Sequence, residues 1–302
     1  MSTARFLPGF TEQRIDCNGV QINCAVAGVG PPVLLLHGHP QTLIVWRKVA
    51  PQLVASGYSV VASDLRGYGA SDKPASAPDH APYSKRVMAK DQVALMGNLG
   101  HDRFAVIGHD RGGRVAHRMA LDAPDVVDRL VVIDIAPTAT MYARTNKEFA
   151  TRYFWWFFLI QPFDLPERLI SSDPDFFLKK HINGQLKTPD AVSEDVFDAY
   201  LEAYQKPETI HAICEDYRAA ASIDLIHDAN DAEVHVVAPL LALWGAKGTV
   251  GALYDVLETW REKALDVSGC ALPCGHSVQE EVPQLFLNHV LPFLSRSSSR
   301  NF

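Results

Sequence analysis

Apolar positions along this chain follow two alternating patterns up to about residue 137. Short, nearly all-apolar runs recur as PPVLLLHG at 31–38, SVVASDLRG at 59–67, FAVIGHD at 104–110 and LVVIDIAP at 130–137. Between them lie segments of helical spacing, such as SKRVMAKDQVALMGNL and GRVAHRMALD. Buried strands alternating with amphipathic helices predict a parallel sheet covered on both faces. Ahead of this, a polar strand through Ile15, a turn at Asn18-Gly19 and the run VQINCAVAG predict a hairpin. The alternation stops from about residue 137 to 224, where no convincing strand is found. That stretch is aromatic and helical, broken by Pro162, Pro166, Pro174, Pro189 and Pro207. The pattern resumes with APLLALWGAKG, a helix, LDVSGCALP and a last helix from about Val278. This predicts a core of residues 1–136 and 225–302 interrupted by a helical cap at 137–224. Such an insert would sit over the carboxyl ends of the strands, where open α/β sheets bind ligands.

Composition narrows the function classes. The 302 residues are enough for a full core, and 47% apolar with 21% charged residues is ordinary for a soluble globular protein. A net charge of −7 argues against nucleic acid or an acidic membrane as partner, but not against a small anion in a local basic pocket. The five cysteines are odd in number, form no CxxC and match no zinc spacing, so they read as idle thiols in a reducing compartment. The N-terminus lacks an apolar signal-peptide core, and the run Phe154–Ile160 is too short to span a bilayer. A cytoplasmic enzyme is the expectation. The tail SRSSSRNF reads as frayed.

One motif carries chemistry. Gly108-His109-Asp110-Arg111-Gly112 follows the strand FAVIG and opens the helix GRVAHRMAL. A strand, a tight turn with small flanking residues and a helix are the setting of a nucleophile elbow. Here the nucleophile position holds Asp110. Taken alone, the motif fits better an aspartate capping a helix. Three more motifs stand in matching order: His37-Gly38-His39-Pro40 after an early strand, Asp64-Leu65-Arg66-Gly67-Tyr68-Gly69 after the next, and Gly275-His276 after the last.

Together these motifs resemble the α/β-hydrolases with an aspartate nucleophile: haloalkane dehalogenases, epoxide hydrolases and haloacetate dehalogenases. Asp-Arg-Gly-Gly-Arg and the stretch YFWWFFLIQP are most similar to the fluoroacetate (haloacetate) dehalogenases. The resemblance implies an α/β-hydrolase fold, with a mostly parallel central sheet and an inserted all-helical cap. It also implies a catalytic set of Asp110, His276 and Asp134. A carboxylate is already anionic at neutral pH and can displace a leaving group from an sp³ carbon. The resulting ester needs water activated by a base, the role expected of His276. Many α/β-hydrolases carry the triad acid in a turn after the penultimate strand. That turn here, Trp244-Gly245-Ala246-Lys247-Gly248, has no carboxylate. Asp134, ending LVVID, is the alternative, against a reading as a turn cap. The family pattern places the oxyanion donors at the backbone N–H groups of His39 and Arg111.

The substrate is read from Arg111 and Arg114. Cations at a helix start are disfavoured by the helix dipole, and two of them there ask for an anion. Guanidinium forks suit a carboxylate. Haloalkane dehalogenases usually place Trp after the nucleophile, where this chain has Arg111. The expected substrate is therefore a small 2-halocarboxylate, with water as second substrate and no cofactor or metal. An epoxide hydrolase using the same three residues, with Tyr217 and Tyr153 as acids, is the alternative. Halide donors are expected from Trp155, Trp156 and Tyr217, with one tryptophan serving as cap core. Fluoroacetate dehalogenases typically read His-Trp where this chain reads Trp155-Trp156. The missing histidine predicts that chloroacetate and bromoacetate are preferred over fluoroacetate. The resemblance also makes a homodimer the expected assembly.

Overall fold

The computed structural model describes residues 5–296. All but the first two residues of the tail SRSSSRNF, and the first four residues of the chain, lie outside the described residues. Eight strands form one sheet: β1 Thr11–Cys17, β2 Val20–Ala27, β3 Pro32–Leu36, β4 Ser59–Ser63, β5 Phe104–His109, β6 Val127–Ile133, β7 Leu240–Gly245 and β8 Val267–Leu272. Their order is β1-β2-β4-β3-β5-β6-β7-β8. β1 and β2 pair antiparallel, with Cys17 opposite Val20 and a two-residue turn at Asn18 (φ 60°) and Gly19 (φ 81°). Positive φ at both central positions is the turn that matches strand twist, and Asn-Gly supplies it at little cost. β2 also runs antiparallel to β4, and every other pair is parallel.

The predicted apolar runs are the inner strands. Val33 through Leu36 are fully buried, as are Val60, Val61, Val106, Ile107, Leu130 and Val131. Both sheet faces are covered, which is why these strands are apolar throughout and do not alternate. The first core helices are α1 Ala50–Ala55, α2 Lys85–Asn98 and α3 Arg111–Asp122.

Between β6 and β7 lies the cap. It comprises α4 Thr138–Ala143, α5 Lys147–Arg152, α6 Phe154–Phe158, α7 Leu165–Ser172, α8 Pro174–Gln185, α9 Glu194–Tyr204, α10 Pro207–Ala220 and α11 Ile223–Asn230. Pro166, Pro174 and Pro207 each stand at the start of a helix, where the missing N–H costs nothing. The helical run continues to Asn230, beyond the expected end at residue 224, because Asp224 lies in the first turn of α11 and anchors it to the core through the backbone N–H of Lys85 (2.8 Å). After β7 come α12 Thr249–Leu253 and α13 Val256–Arg261, and after β8 α14 Val278–Glu281 and α15 Pro283–Ser295. Among the described residues no helix is long and apolar enough to cross a membrane. The five cysteines are free.

The loop Asp64–Ser71 is built by its own polar groups. Asp64 accepts from the backbone N–H of Leu43 (2.8 Å) and Ala70 (2.9 Å), and a side chain at Gly69 (φ 50°) would collide with that carboxylate. Arg66 forks onto Asp91 at 2.7 Å twice. Asp64 and Arg66 thus fix the loop that delivers Tyr68 to the base of the cap.

Candidate active site

Asp110 sits between β5 and α3 with φ 46° and ψ −112°. A non-glycine residue held there costs on the order of 1–3 kcal/mol, and persists only where its surroundings enforce it. The enforcing contacts are glycines. A Cβ on Gly108 would lie 2.5 Å from the Gly112 carbonyl oxygen, and one on Gly112 would collide with the carbonyls of Leu36 and His37. Asp110 makes no side-chain cap bond to α3. Its Oδ1 instead accepts the backbone N–H of His39 at 3.0 Å. The capping alternative is therefore not what this side chain does. Burial alone would raise the Asp110 carboxyl, but the positive charge of His276, Arg111 and Arg114 outweighs it and holds the group below the usual carboxylate range. It is an anion.

His276 is 7% exposed, so it is not a surface loop histidine. Its Nε2 lies 4.0 Å from Asp110 Oδ2, and its Nδ1–H donates to Asp134 Oδ2 at 2.5 Å. Asp134 spends its other oxygen on the backbone N–H of Gly245 (3.0 Å), in the turn that lacks an acid of its own. Asp134 has φ 49° and its carboxylate points back across the sheet to β7 and His276, so it does not cap the turn into the cap. The His276 carbonyl accepts His109 Nε2–H at 3.0 Å, and its N–H donates to the Gln185 carbonyl of α8 at 3.2 Å. Burial pushes the His276 imidazole down, but the bond to Asp134 and the charges of Asp134 and Asp110 more than reverse this, and it lies above its ordinary value of 6.5.

The arginines are buried. Arg111 donates Nε to Asp216 Oδ2 (2.8 Å) and Nη2 to Asp216 Oδ1 (2.8 Å) and to the Asp216 carbonyl (2.9 Å). Asp216 also accepts the Tyr68 hydroxyl at 2.7 Å and pairs with Lys85. Arg111 stacks over the Tyr217 ring at 4.1 Å. Arg114 donates Nη1 to the Ala136 carbonyl (3.1 Å) and the Thr138 hydroxyl (2.9 Å), with Nη2 against the Met141 sulfur (3.2 Å) and its guanidinium 4.7 Å over the Trp156 ring. Each arginine keeps one buried nitrogen without a partner, Nη1 of Arg111 and Nε of Arg114.

The cap closes the site with rings. Tyr217 packs edge-on against His39 at 5.4 Å, and Trp156 against Tyr217 at 6.5 Å. Trp156 also packs on Tyr142 and Phe149 as cap core, while Trp155 lines a cavity of about 500 Å³ with Tyr153, His181, Asp134 and His276. The cap does contain a histidine at the site, and it lies outside the YFWWFF stretch. His181 of α8 packs edge-on against His39 and against Trp155, with ring centroids 4.6 Å apart in each pair. Burial holds it well below its ordinary value, so it is neutral. Its Nε2 takes the Gln185 amide at 2.7 Å, leaving Nδ1 without a partner. The sequence offered no sign of it, since HINGQ matches no motif. Asp216 and Lys85 were equally invisible, being joined to Arg111 only by the fold.

A family model described as alpha/beta hydrolase fold matches residues 31–283. The chain belongs to this family. It is 42% identical to a fluoroacetate dehalogenase of Burkholderia sp over 292 residues, covering 96% of both chains. It is 33% identical to a soluble epoxide hydrolase of Corynebacterium sp., covering 94% of this chain and 97% of that one. Among solved structures, a candidate acyltransferase from Salmonella enterica superposes with a TM-score of 0.95 at 60% identity, covering 96% of each chain.

Proposed function

We propose that this hydrolase is a haloacetate dehalogenase, converting a small 2-haloacid and water to the 2-hydroxyacid, halide and a proton, with chloroacetate and bromoacetate preferred over fluoroacetate. The observation that carries the reading is a buried carboxylate, Asp110, with His276 at 4.0 Å and in the field of two buried guanidinium groups, Arg111 and Arg114, each with an unpartnered nitrogen. Arg111 Nη1 and Arg114 Nε are the donors for the substrate carboxylate. Asp110 Oδ1 is held by His39, so Oδ2 is the oxygen that attacks the halogen-bearing carbon. The carbon–oxygen bond forms as the carbon–halogen bond breaks, and halide leaves toward Trp155, Trp156 and Tyr217. Water then adds to the Asp110 carboxyl carbon while His276 Nε2 takes its proton and Asp134 steadies the imidazolium. The oxyanion collects on Oδ1 at the N–H groups of His39 and Arg111. Collapse breaks the bond from the Asp110 carboxyl carbon to Oδ2, the leaving alkoxide takes the proton held by His276 to give the hydroxyacid, and the second water proton leaves the new carboxyl group to solvent, restoring Asp110 as a carboxylate. The helical insert between β6 and β7, expected at 137–224 and running on to Asn230, serves as the cap.

The fluoroacetate dehalogenase relative supports this reading, and the epoxide hydrolase relative supports a second one with the same Asp110, His276 and Asp134. Tyr217, beside Asp110, would protonate the epoxide oxygen, but a neutral epoxide gives the paired arginines nothing to bind. Acyl transfer, suggested by the Salmonella relative, would require Asp110 to form an anhydride, a poorer intermediate than a serine or cysteine ester. Halide release from chloroacetate and fluoroacetate, measured by ion chromatography beside Asp110→Asn, tests the proposal. Chloride release that requires Asp110 is expected. No release of either halide, with diol formed from an epoxide, would overturn it.

A further inference from the structure

The cavity that reaches His276 has walls and a rim of different character. Its inner surface is His276, Asp134, His181, Tyr153 and Trp155. Its rim carries Arg152, Lys180, Lys187 and Lys247, all exposed, from three segments far apart in sequence: α5, α8 with the loop after it, and the turn after β7. In a protein of net charge −7, four cations surround one opening, and the single carboxylate lining it, Asp134, is committed to His276. The buried Glu281 behind the rim spends its oxygens on the backbone N–H groups of Lys187, Gly275 and Ser277. Arg152 pairs with the exposed Glu148 at 3.0 Å. Among the described residues none of the three lysines is in an ion pair. Lys187 Nζ donates to the Gly184 carbonyl (2.9 Å), and Lys180 lies 5.5 Å over the Phe176 ring.

Uncompensated charges of one sign around a low-dielectric opening focus their field into it. We infer that Lys180, Lys187 and Lys247 form an electrostatic funnel that concentrates small anions at the mouth of the active site and makes the enzyme selective for charged over neutral substrates at entry. This rests on the haloacid reading for its biological use, but it is a statement about any small anion. The lysines are too exposed to dock a carboxylate in fixed geometry; their part is to raise its local concentration before Arg111 and Arg114 bind it.

Tryptophan quenching tests this without turnover. Trp155 lines the cavity, and its share of the fluorescence is the difference between the wild type and Trp155→Phe. Iodide is the anionic quencher and acrylamide the neutral one, at ionic strength set by a non-quenching salt. In the triple variant K180Q/K187Q/K247Q, iodide quenching of the Trp155 share is expected to fall roughly two- to tenfold, with acrylamide quenching unchanged. High salt should erase the difference between the two proteins, because the Debye length drops to about 3 Å at 1 M. Unchanged iodide quenching in the triple variant, or quenching insensitive to salt, would overturn the inference. A far-UV spectrum matching the wild type shows that the variant is folded. Failure to release halide from any haloacid, with iodide selectivity intact, would defeat the proposed reaction and leave the funnel standing.

Discussion

Asp216 holds Arg111 by three hydrogen bonds and leaves it a single free nitrogen, Nη1. Both residues are fully buried, on opposite sides of the boundary between core and cap. Arg111 therefore has only Nη1 to offer a ligand and no open fork. From the sequence the arginine suggested two parallel bonds to a carboxylate; the fold assigns that fork to a cap aspartate. Asp216→Asn removes the charge that sets the guanidinium while keeping its shape. We expect KM for chloroacetate to rise by roughly tenfold, about the worth of one charge-assisted hydrogen bond, with a smaller change in kcat. Tm should also fall, because Lys85 and Arg111 lose their shared counter-ion. An unchanged KM would make Asp216 a structural partner alone.

The proposed division of labour between Asp110 and His276 predicts two different failures. Asp110→Asn has no anionic nucleophile and should release no halide while still binding the substrate. His276→Gln keeps the nucleophile but loses the base, so halide should appear once, in an amount equal to enzyme. A peptide containing Asp110 should then carry the carboxymethyl ester by mass spectrometry. Continued turnover by His276→Gln would remove that histidine from the hydrolytic step.

The glycines of the elbow give a test that involves no chemistry. Gly108→Ala places a Cβ 2.5 Å from the Gly112 carbonyl oxygen, where neither backbone can give way easily. Overpacking of this kind costs about 1–3 kcal/mol. The expectation is a lower urea midpoint together with lost activity, since the strain at Asp110 depends on this approach. A midpoint equal to the wild type would mean that strand and helix can separate.

Why the sequence revealed some of this and not the rest follows from the range of each interaction. The strands were legible because burial on both faces demands runs such as Val33–Leu36. The elbow was legible because Gly108 and Gly112 are set at fixed offsets from Asp110. His276 and Asp134 were reached through their places after strands. Asp216, Lys85 and His181 have no local pattern: their partners lie across the cap–core boundary, at separations such as the 105 residues between Arg111 and Asp216. The helices run past residue 224 to Asn230 without a local signal for the same reason, since Asp224 is tied to Lys85 139 residues away.

The raised imidazole of His276 fixes the direction of the pH dependence. The base must be neutral to take a proton from water. Because Asp134 holds the protonated form to higher pH through its bond to Nδ1 and its charge, and still does so once Asp110 is esterified, kcat should decline on the acid side with unit slope. Asp110 contributes no limb in that range, since its carboxyl titrates far below. Asp134→Asn should move the limb to lower pH while reducing kcat, because the support for the imidazolium is lost. An acid limb that stays in place in Asp134→Asn would show that another group titrates.

Fluoride separates the remaining possibilities. It is small and strongly hydrated, and it leaves only when donors reach it in the transition state. At position 155 this chain has an indole, and His181 lines the same cavity, 4.6 Å from that ring, with Nδ1 unpartnered. Trp155→His would put an imidazole donor at the position itself. Removing one such donor from a comparable site costs on the order of 10²–10³ in rate, so restoring one can raise fluoride release by up to about that factor. Chloride release should change far less, because chloride needs less help to depart. The measurement is the ratio of fluoride to chloride released by wild type and Trp155→His under the same conditions. A ratio already near one in the wild type would mean that the Trp155 indole, or His181 beside it, serves fluoride as it stands, and the expected preference for the heavier halides would be wrong.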